Sequence, residues 1–188
     1  MQSGEALERE VKRRLEYEIS QGDLGINPQL TKVFLHKGYW SRSREKPITM
    51  DVSVELYRRG ATEPYLVWIW ECKDYQHRVP VDDVEEFHTK LEQIGLHKTK
   101  GTVVSRNGFQ ESAVKVAEAY GIGLARILPD GSVIRLIEAY VEPTVSREFV
   151  VFGLTQPDTT QLTTMFYGLS SSGRGVTEVR HLIALEVH

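Results

Sequence analysis

The chain has 188 residues, 40% of them hydrophobic and 26% charged, which is typical of one globular domain with or without a short extension. No stretch approaches the roughly 18 apolar residues of a membrane span. The N-terminal residues lack the apolar segment of a secretory signal, so no such signal is expected. Cys72 is the single cysteine, which excludes an intramolecular disulfide framework, and the net charge of −3 argues against a surface coated in positive charge. We therefore expect a cytoplasmic protein whose contacts with any polyanion are local.

The first predicted element is an amphipathic helix over residues 5–20. Its apolar side chains recur every four positions among charged residues, at Leu7, Val11, Leu15 and Ile19. Residues 22–47 have a mixed, turn-rich composition that predicts no long element. Asn27-Pro28 marks a boundary there, with room for a short helix after it.

Two strands are predicted next. Residues 48–56 alternate apolar and polar side chains without a break, which predicts a half-buried strand with Asp51 on its polar face. Residues 65–70 form a wholly apolar run rich in aromatic and β-branched side chains, which indicates a strand buried on both faces. The three residues that follow this run directly are Glu71, Cys72 and Lys73.

The second half of the chain alternates between helices and strands. Spaced apolar residues predict helices at 81–94 and 113–120, and short apolar runs predict strands at 101–105, 122–127 and 132–137. Asp82 or Asp83 would cap the first of these helices and Gly95 would close it, while Gly121 would end the second. The order helix, hairpin, then α-β-α-β-β predicts an α/β fold with a central mixed sheet and helices on both faces.

Beyond Pro143 the pattern weakens, although residues 148–154 and 178–187 have the composition of strands. We predict a main domain over residues 1–140 and a C-terminal extension over residues 141–188, with strands that pack on the main domain.

The two predicted strands bring two carboxylates together. If they form an antiparallel hairpin with its loop centred near residue 61, the numbers of facing residues sum to about 122, so Asp51 faces Glu71. Facing residues have Cβ atoms roughly 4.5–5.5 Å apart, and like charges in such a pair are destabilising. A cation between the carboxylates would remove the repulsion. Hard divalent ions, Mg²⁺ above all, suit one or two carboxylates plus phosphate oxygens.

Lys73 completes the predicted site. Because side chains alternate along a strand, Lys73 and Glu71 share one face while Cys72 points to the other. Cys72 lies on the same side as the apolar residue Trp70, which favours core packing over thiol chemistry. The Lys73 ammonium would lie beside the metal. There it can orient or help deprotonate an attacking water, or stabilise charge on a phosphate.

Other interpretations of these residues remain open. Asp51 would then be an outward polar residue of a half-exposed strand, and Glu71 and Lys73 a surface ion pair. A different hairpin register would also separate Asp51 from Glu71 and would leave a structural domain with no hydrolase activity. Zinc is not expected, because no histidine or second cysteine stands at zinc-ligand spacing.

The pattern of Asp51 followed by Glu71-Cys72-Lys73 resembles the PD-(D/E)xK signature of the restriction-endonuclease-like superfamily, with Met50 in place of its proline. The downstream order is similar to that of Mrr-like restriction endonucleases: the helix over residues 81–94, the strand at 101–105, Asn107-Gly108-Phe109, and a second helix leading to Gly121-Ile122. The resemblance covers residues 5–137. It implies a restriction-endonuclease-like three-layer α/β/α fold with a central mixed sheet.

The resemblance also implies roles for the site residues. Asp51 and Glu71 would ligate the metal, with the backbone carbonyl of Cys72 as a further ligand. Lys73 would be the catalytic base or a stabiliser of charge.

The family often adds a glutamate from the first helix, and Glu8 and Glu10 are both eligible. Glu8 is favoured because it shares a helix face with Val11 and Leu15, which could aim it inward.

Two hypotheses of function follow. The first is an endonuclease that depends on Mg²⁺, with Mn²⁺ as a substitute, and hydrolyses phosphodiester bonds of DNA in restriction or repair. The second is a nucleic-acid-binding or assembly module that keeps the fold without cutting. The expected partner is DNA and not a membrane, and a homodimer would suit an enzyme that cuts two strands.

Overall fold

The computed structural model describes residues 3–136, Thr155 and two short paired strands near the C-terminus. Its α-helices are α1 (Ser3–Gln21), α2 (Val81–Ile94) and α3 (Glu111–Tyr120). Its strands are β1 (Thr31–Ser41), β2 (Lys46–Leu56), β3 (Leu66–Lys73), β4 (Thr99–Ser105), β5 (Gly123–Ile127), β6 (Val133–Leu136), β7 (Gly168–Leu169) and β8 (Gly175–Val176). A 3₁₀ helix, Pro28–Leu30, precedes β1.

The strands β1 to β6 form one six-stranded sheet in the order of the chain. β3, β4 and β5 are parallel neighbours, and the remaining neighbours are antiparallel, so the sheet is mixed. α1 covers one face of the sheet, and α2 and α3 cover the other. This three-layer α/β/α arrangement confirms the predicted fold class.

A separate hydrophobic core lies on each face of the sheet. The α1-side core consists of Leu7, Val11, Leu15, Ile19, Val52, Val54, Leu56, Trp70, Val104, Ala125 and Ile127. The α2-side core consists of Ile48, Met50, Val67, Ile69, Val79, Val84, Phe87, Leu91, Ile94, Val103, Phe109, Ala113, Val114, Ala117, Ile122 and Leu124. The four apolar residues that predict the first helix are all buried, because their spacing places them in one stripe that faces the sheet.

The strand β1 is a long element that the sequence does not predict. Its eleven residues lie in the segment expected to be turn-rich, and they pair with β2 at the edge of the sheet. Two causes hide it: an edge strand keeps many partly exposed polar residues, and its apolar residues are grouped at 33–35 and 39–40 instead of alternating with polar ones. The hydrophobicity of the sequence therefore shows no period-2 pattern, although the exposure of the side chains alternates along the strand.

The expectation that β2 is half-buried is wrong. Both of its faces are covered from Met50 onward, and even the polar residues Ser53 and Glu55 are almost fully buried, at 0% and 1% exposure. The apolar side chains also change face at Asp51, since Met50 belongs to the α2-side core and Val52 to the α1-side core. A regular strand would place those two residues on the same face.

The ends of α2 differ in how well the sequence predicts them. Gly95 closes the helix as expected, but the residue at the N-cap is Pro80, and no side chain caps the helix. Asp82 and Asp83 lie in the first turn, where carboxylates suit the helix dipole. The capping prediction for these residues is therefore wrong, and Asp83 takes a different role described below. Gly121 ends α3 in the left-handed conformation, as predicted.

The strands predicted at residues 148–154 and 178–187 lie outside the described residues, so the proposed C-terminal extension stays a prediction. Arg78 donates a hydrogen bond to the carbonyl of Thr155 at 2.8 Å. Within the described residues, no helix has the length and apolar character needed to cross a membrane.

Candidate active site at the end of the β2–β3 pair

The predicted hairpin register between β2 and β3 is confirmed. The strands pair from Val52 opposite Trp70 to Leu56 opposite Leu66, so the numbers of facing residues sum to 122 as predicted, and Asp51 and Glu71 directly follow the last of these pairs. At that level the backbone N–H of Cys72 donates a hydrogen bond to Oδ2 of Asp51 at 2.7 Å. A different register, which was one of the open alternatives, is thereby excluded.

Asp51 lies in an electrostatic environment that opposes its ionisation. Burial is the main cause, the nearby charge of Glu71 is the second, and together they raise the pKa of Asp51 to about 6. The Cys72 N–H and the Lys90 charge act in the opposite direction, while the charge of Glu8 adds to the increase. Asp51 thus experiences the negative charges of two other acids.

Glu71 is 6% exposed, which rules out the alternative of a surface ion pair. Two ammonium groups approach its carboxylate: Nζ of Lys90 lies 2.8 Å from Oε1, and Nζ of Lys73 lies 3.4 Å from the same oxygen. The same-face prediction for Glu71 and Lys73 is therefore confirmed.

Lys73 also contacts Asp83 of α2, with Nζ 3.0 Å from Oδ1. Burial alone would lower the pKa of Lys73, but the hydrogen bond to Asp83 and the charges of Glu71 and Asp83 outweigh it. The pKa of Lys73 is consequently raised above its ordinary value. Lys73 is an ammonium at neutral pH, held between two carboxylates.

The two eligible glutamates of α1 have different neighbours. Oε2 of Glu8 lies 2.5 Å from Nε2 of His36, and the Glu8 charge reaches Asp51. Glu10 instead pairs with Arg106 at 2.6 Å. The structure therefore brings Glu8 toward Asp51 and turns Glu10 to an ion pair at the end of β4.

The Cys72 side chain packs against the α1-side core, as predicted from strand alternation. Burial raises the pKa of the thiol well above its ordinary value, and the negative charges of Asp51 and Glu8 raise it further. A thiol with a raised pKa is a poor nucleophile at neutral pH, which agrees with a packing role for this side chain.

The donor chemistry fits a hard divalent cation, although the carboxylates do not form a complete cage. Among the described residues, no three Asp, Glu, His or Cys side chains group as metal ligands. Asp51 and Glu71 would hold such an ion, and a site of two carboxylates leaves coordination positions for water and phosphate oxygens. Burial first and the charge of Glu71 second raise the pKa of Asp51, and a bound cation would favour its ionised form.

Sequence reasoning does not identify three residues that line this site: Lys90, Asp83 and His36. Lys90 and Asp83 are seven residues apart on α2. The apolar residues of this helix predict its buried face, whereas its many charged residues do not show which of them line a site. The spacing of i and i+7 places both on one face, which is the signal that could have found them. Only the packing of α2 on β3 shows that this face meets Glu71 and Lys73.

A comparison with protein families identifies the family of the chain. The model of the restriction endonuclease family Mrr_cat matches residues 29–129, more than half of the chain. Among curated proteins, none matches this chain.

Two solved structures are similar to the fold. A protein of unknown function, AF1548, has 16% identity and a TM-score of 0.41, over 58% of this chain and 55% of that one. A repair endonuclease from Pyrococcus abyssi has 15% identity and a TM-score of 0.38, over 62% of this chain and 46% of that one. The matches thus span about half the length of these two proteins.

The matched family range contains both strands of the candidate site, and with them Asp51, Glu71 and Lys73. The family was expected from the D…ExK pattern and its strand placement. The chain belongs to the Mrr-like restriction endonuclease family of the PD-(D/E)xK superfamily.

Proposed function

We propose that the chain is a divalent-metal-dependent endonuclease that hydrolyses phosphodiester bonds of DNA, with a biological role in restriction or repair. The observation that carries the proposal is the placement of Asp51 beside Glu71, at the end of the β2–β3 pair and within the family range. Burial and the nearby charge of Glu71 oppose the ionisation of Asp51, which is costly in a metal-free protein, and binding a cation gives the arrangement a reason.

In this proposal the carboxylates of Asp51 and Glu71 and the backbone carbonyl of Cys72 hold Mg²⁺, for which Mn²⁺ can substitute. The bound ion would supply Lewis-acid chemistry to the phosphate and lower the pKa of a water. The Cys72 N–H fixes the orientation of the Asp51 carboxylate through its hydrogen bond to Oδ2.

Lys73 is proposed as the stabiliser of negative charge on the phosphate and as an orienting donor for the attacking water. Its raised pKa supports this role over that of a general base, because a base must lose its proton near the working pH. Asp83 keeps the ammonium beside Glu71 through its 3.0 Å contact. Lys90 also neutralises Glu71 in the metal-free chain.

Glu8 is the α1 glutamate that we assign to the site, because its charge reaches Asp51. DNA is the proposed partner and the cytoplasm the proposed location. A homodimer remains a proposal that suits cleavage of both strands. The proposed domain limits are residues 1–140 for the nuclease and 141–188 for the extension.

A cleavage assay tests the proposal directly. Supercoiled plasmid and circular single-stranded DNA are incubated with the purified protein in Mg²⁺, in Mn²⁺ and in EDTA. Asp51→Asn and Lys73→Met preserve the shape of each side chain while removing its charge. Lys100→Met is the matched control, since Lys100 is an exposed lysine on the neighbouring strand β4.

We expect metal-dependent nicking that falls at least about a hundredfold in Asp51→Asn and Lys73→Met and stays unchanged in Lys100→Met. Cleavage that survives both site substitutions would come from another site or a contaminant, and it would contradict the proposal. DNA binding without nicking in either metal would instead favour the non-cleaving module.

A further inference from the structure

His36 has a backbone conformation that few non-glycine residues adopt. Its φ of +50° lies in the left-handed region, which histidine tolerates better than most residues but which still costs free energy within a strand. A conformation of this kind persists only where the surrounding structure enforces it.

The position of His36 places this irregularity at the active site. The pairs Leu35 with Val52 and Lys37 with Met50 flank it, so His36 stands at the level of Asp51 on the neighbouring strand. At this level in both strands, the inward apolar side chains switch from one face of the sheet to the other. In β1 Leu35 packs on the α1-side core and Tyr39 on the α2-side core, as Val52 and Met50 do in β2.

The His36 side chain reaches from this point to α1. Its Nε2 lies 2.5 Å from Oε2 of Glu8, and because a carboxylate only accepts hydrogen bonds, the imidazole donates. His36 is 51% exposed at its side chain, whereas Glu8 is only 15% exposed. A hydrogen bond to a half-exposed side chain contributes little to stability by itself, so the role of this contact is to hold Glu8 in place.

We propose that His36 is a positioning residue of the nuclease site, whose imidazole N–H holds the Glu8 carboxylate beside Asp51. This inference rests on the proposed function. His36 touches Glu8 and not the reacting atoms, so its substitution affects catalysis through Glu8. Outer partners that orient the groups of a metal site typically change activity or metal affinity by about 10–100-fold when they are removed.

Two substitutions separate the side chain from the backbone. Asparagine suits the left-handed conformation but is too short to reach Glu8, so His36→Asn removes the hydrogen bond without straining the strand. Glutamine carries an N–H donor near the reach of Nε2 but is less suited to positive φ, so His36→Gln restores the contact at a cost in backbone strain. Each is also combined with Glu8→Gln.

The measurements are kcat and KM for plasmid nicking, Mn²⁺ affinity by isothermal titration calorimetry, and the thermal unfolding midpoint as a control for folding. We expect His36→Asn to lower kcat about 10–100-fold with KM for DNA within about twofold, to weaken Mn²⁺ binding, and to unfold as the wild type does. His36→Gln recovers most of kcat. In the Glu8→Gln background, His36→Asn has no further effect on kcat or on Mn²⁺ affinity.

Additive effects of His36→Asn and Glu8→Gln would overturn the inference, and so would a His36→Asn variant that cuts normally while His36→Gln is impaired. Those results would leave the proposed function standing, since the wild type would still cut. A wild type that neither cuts DNA nor binds Mn²⁺ would overturn the proposed function and this inference with it.

Discussion

Glu55 and Asp51 lie four residues apart on β2, yet their surroundings are opposite. Glu55 is 1% exposed and is surrounded by donors: Lys37 Nζ at 2.5 Å, the Tyr39 hydroxyl at 2.8 Å and the Tyr57 hydroxyl. Burial alone would raise the pKa of Glu55, but these hydrogen bonds outweigh it and lower the pKa. Glu55 is thus a buried carboxylate that its neighbours stabilise in the ionised form.

Asp51 has one backbone donor, the Cys72 N–H, and its pKa is raised to about 6 by burial and by the charge of Glu71. The two carboxylates share a strand and a chemical class, so the difference comes from their neighbours. A carboxylate surrounded by donors contributes to the fold, whereas one placed near other acids is held at a cost in stability that a ligand can relieve.

The largest expected effect is a loss of DNA cleavage when the candidate site, but not the Glu55 cluster, is changed. Glu71→Gln removes a charge from the candidate metal site, and we expect it to lower the nicking rate about a thousandfold. Glu55→Gln is the same change on the neighbouring strand, outside the site, and we expect cleavage within about threefold of the wild type. Equal losses in the two variants would show that cleavage follows fold integrity and not the site.

The second prediction reverses the comparison by measuring stability. Glu55→Ala leaves Lys37 and two tyrosine hydroxyls without their shared acceptor, so we expect the free energy of unfolding to fall by about 3 kcal/mol. Urea unfolding monitored by tryptophan fluorescence gives the value, with an unchanged m-value. Thr49→Ala, at an exposed position of the same strand, is the control and should change the free energy by less than about 0.5 kcal/mol. A Glu55→Ala variant as stable as this control would contradict the stabilising role of the cluster.

The third prediction concerns pH and the metal-free protein. Because the folded state raises the pKa of Asp51 from 3.8 to about 6, it binds the proton more tightly than the unfolded state does. The contribution of Asp51 to stability therefore falls as pH rises from about 4 to about 6, and it stays low above that range. We expect Asp51→Asn to match the wild type near pH 4 and to exceed it by about 2 kcal/mol at pH 7, in EDTA.

Thermal or urea unfolding of both proteins across this pH range checks the third prediction. A stability difference that does not change with pH would show that Asp51 ionises without penalty. Added Mg²⁺ should stabilise the wild type at pH 7 and should have little effect on Asp51→Asn, since a ligand stabilises only the state that binds it.

The smallest expected effect is on the rate at which the Cys72 thiol is chemically modified. The pKa of its thiol is raised by burial and then by the charge of Asp51, so we expect modification by a disulfide reagent at pH 8 to be at least about tenfold slower than for a free thiol. Asp51→Asn removes one of these charges and should speed the reaction about threefold, whereas Glu55→Gln should not. An increase of the same size in both variants would indicate a general loosening of the fold.

Local sequence patterns determine several features of this protein. The four-residue spacing from Leu7 to Ile19 predicts α1, and the apolar run before Glu71 predicts β3. The register of β2 and β3 follows from the centre of their connection, because an antiparallel pair fixes which residues face each other. The acids and the lysine of the candidate site could be predicted for the same reason, since all three lie on one hairpin.

Only the tertiary structure decides what surrounds that hairpin. β1 is missed because its apolar residues do not alternate with polar ones in the sequence. The burial of Glu55 is missed because its donors come from another strand and from the loop beyond β2. Lys90 meets Glu71 only because α2 packs across β3. Periodicity and turn geometry act between near neighbours in the chain, whereas the charge around a buried carboxylate depends on groups brought there by packing.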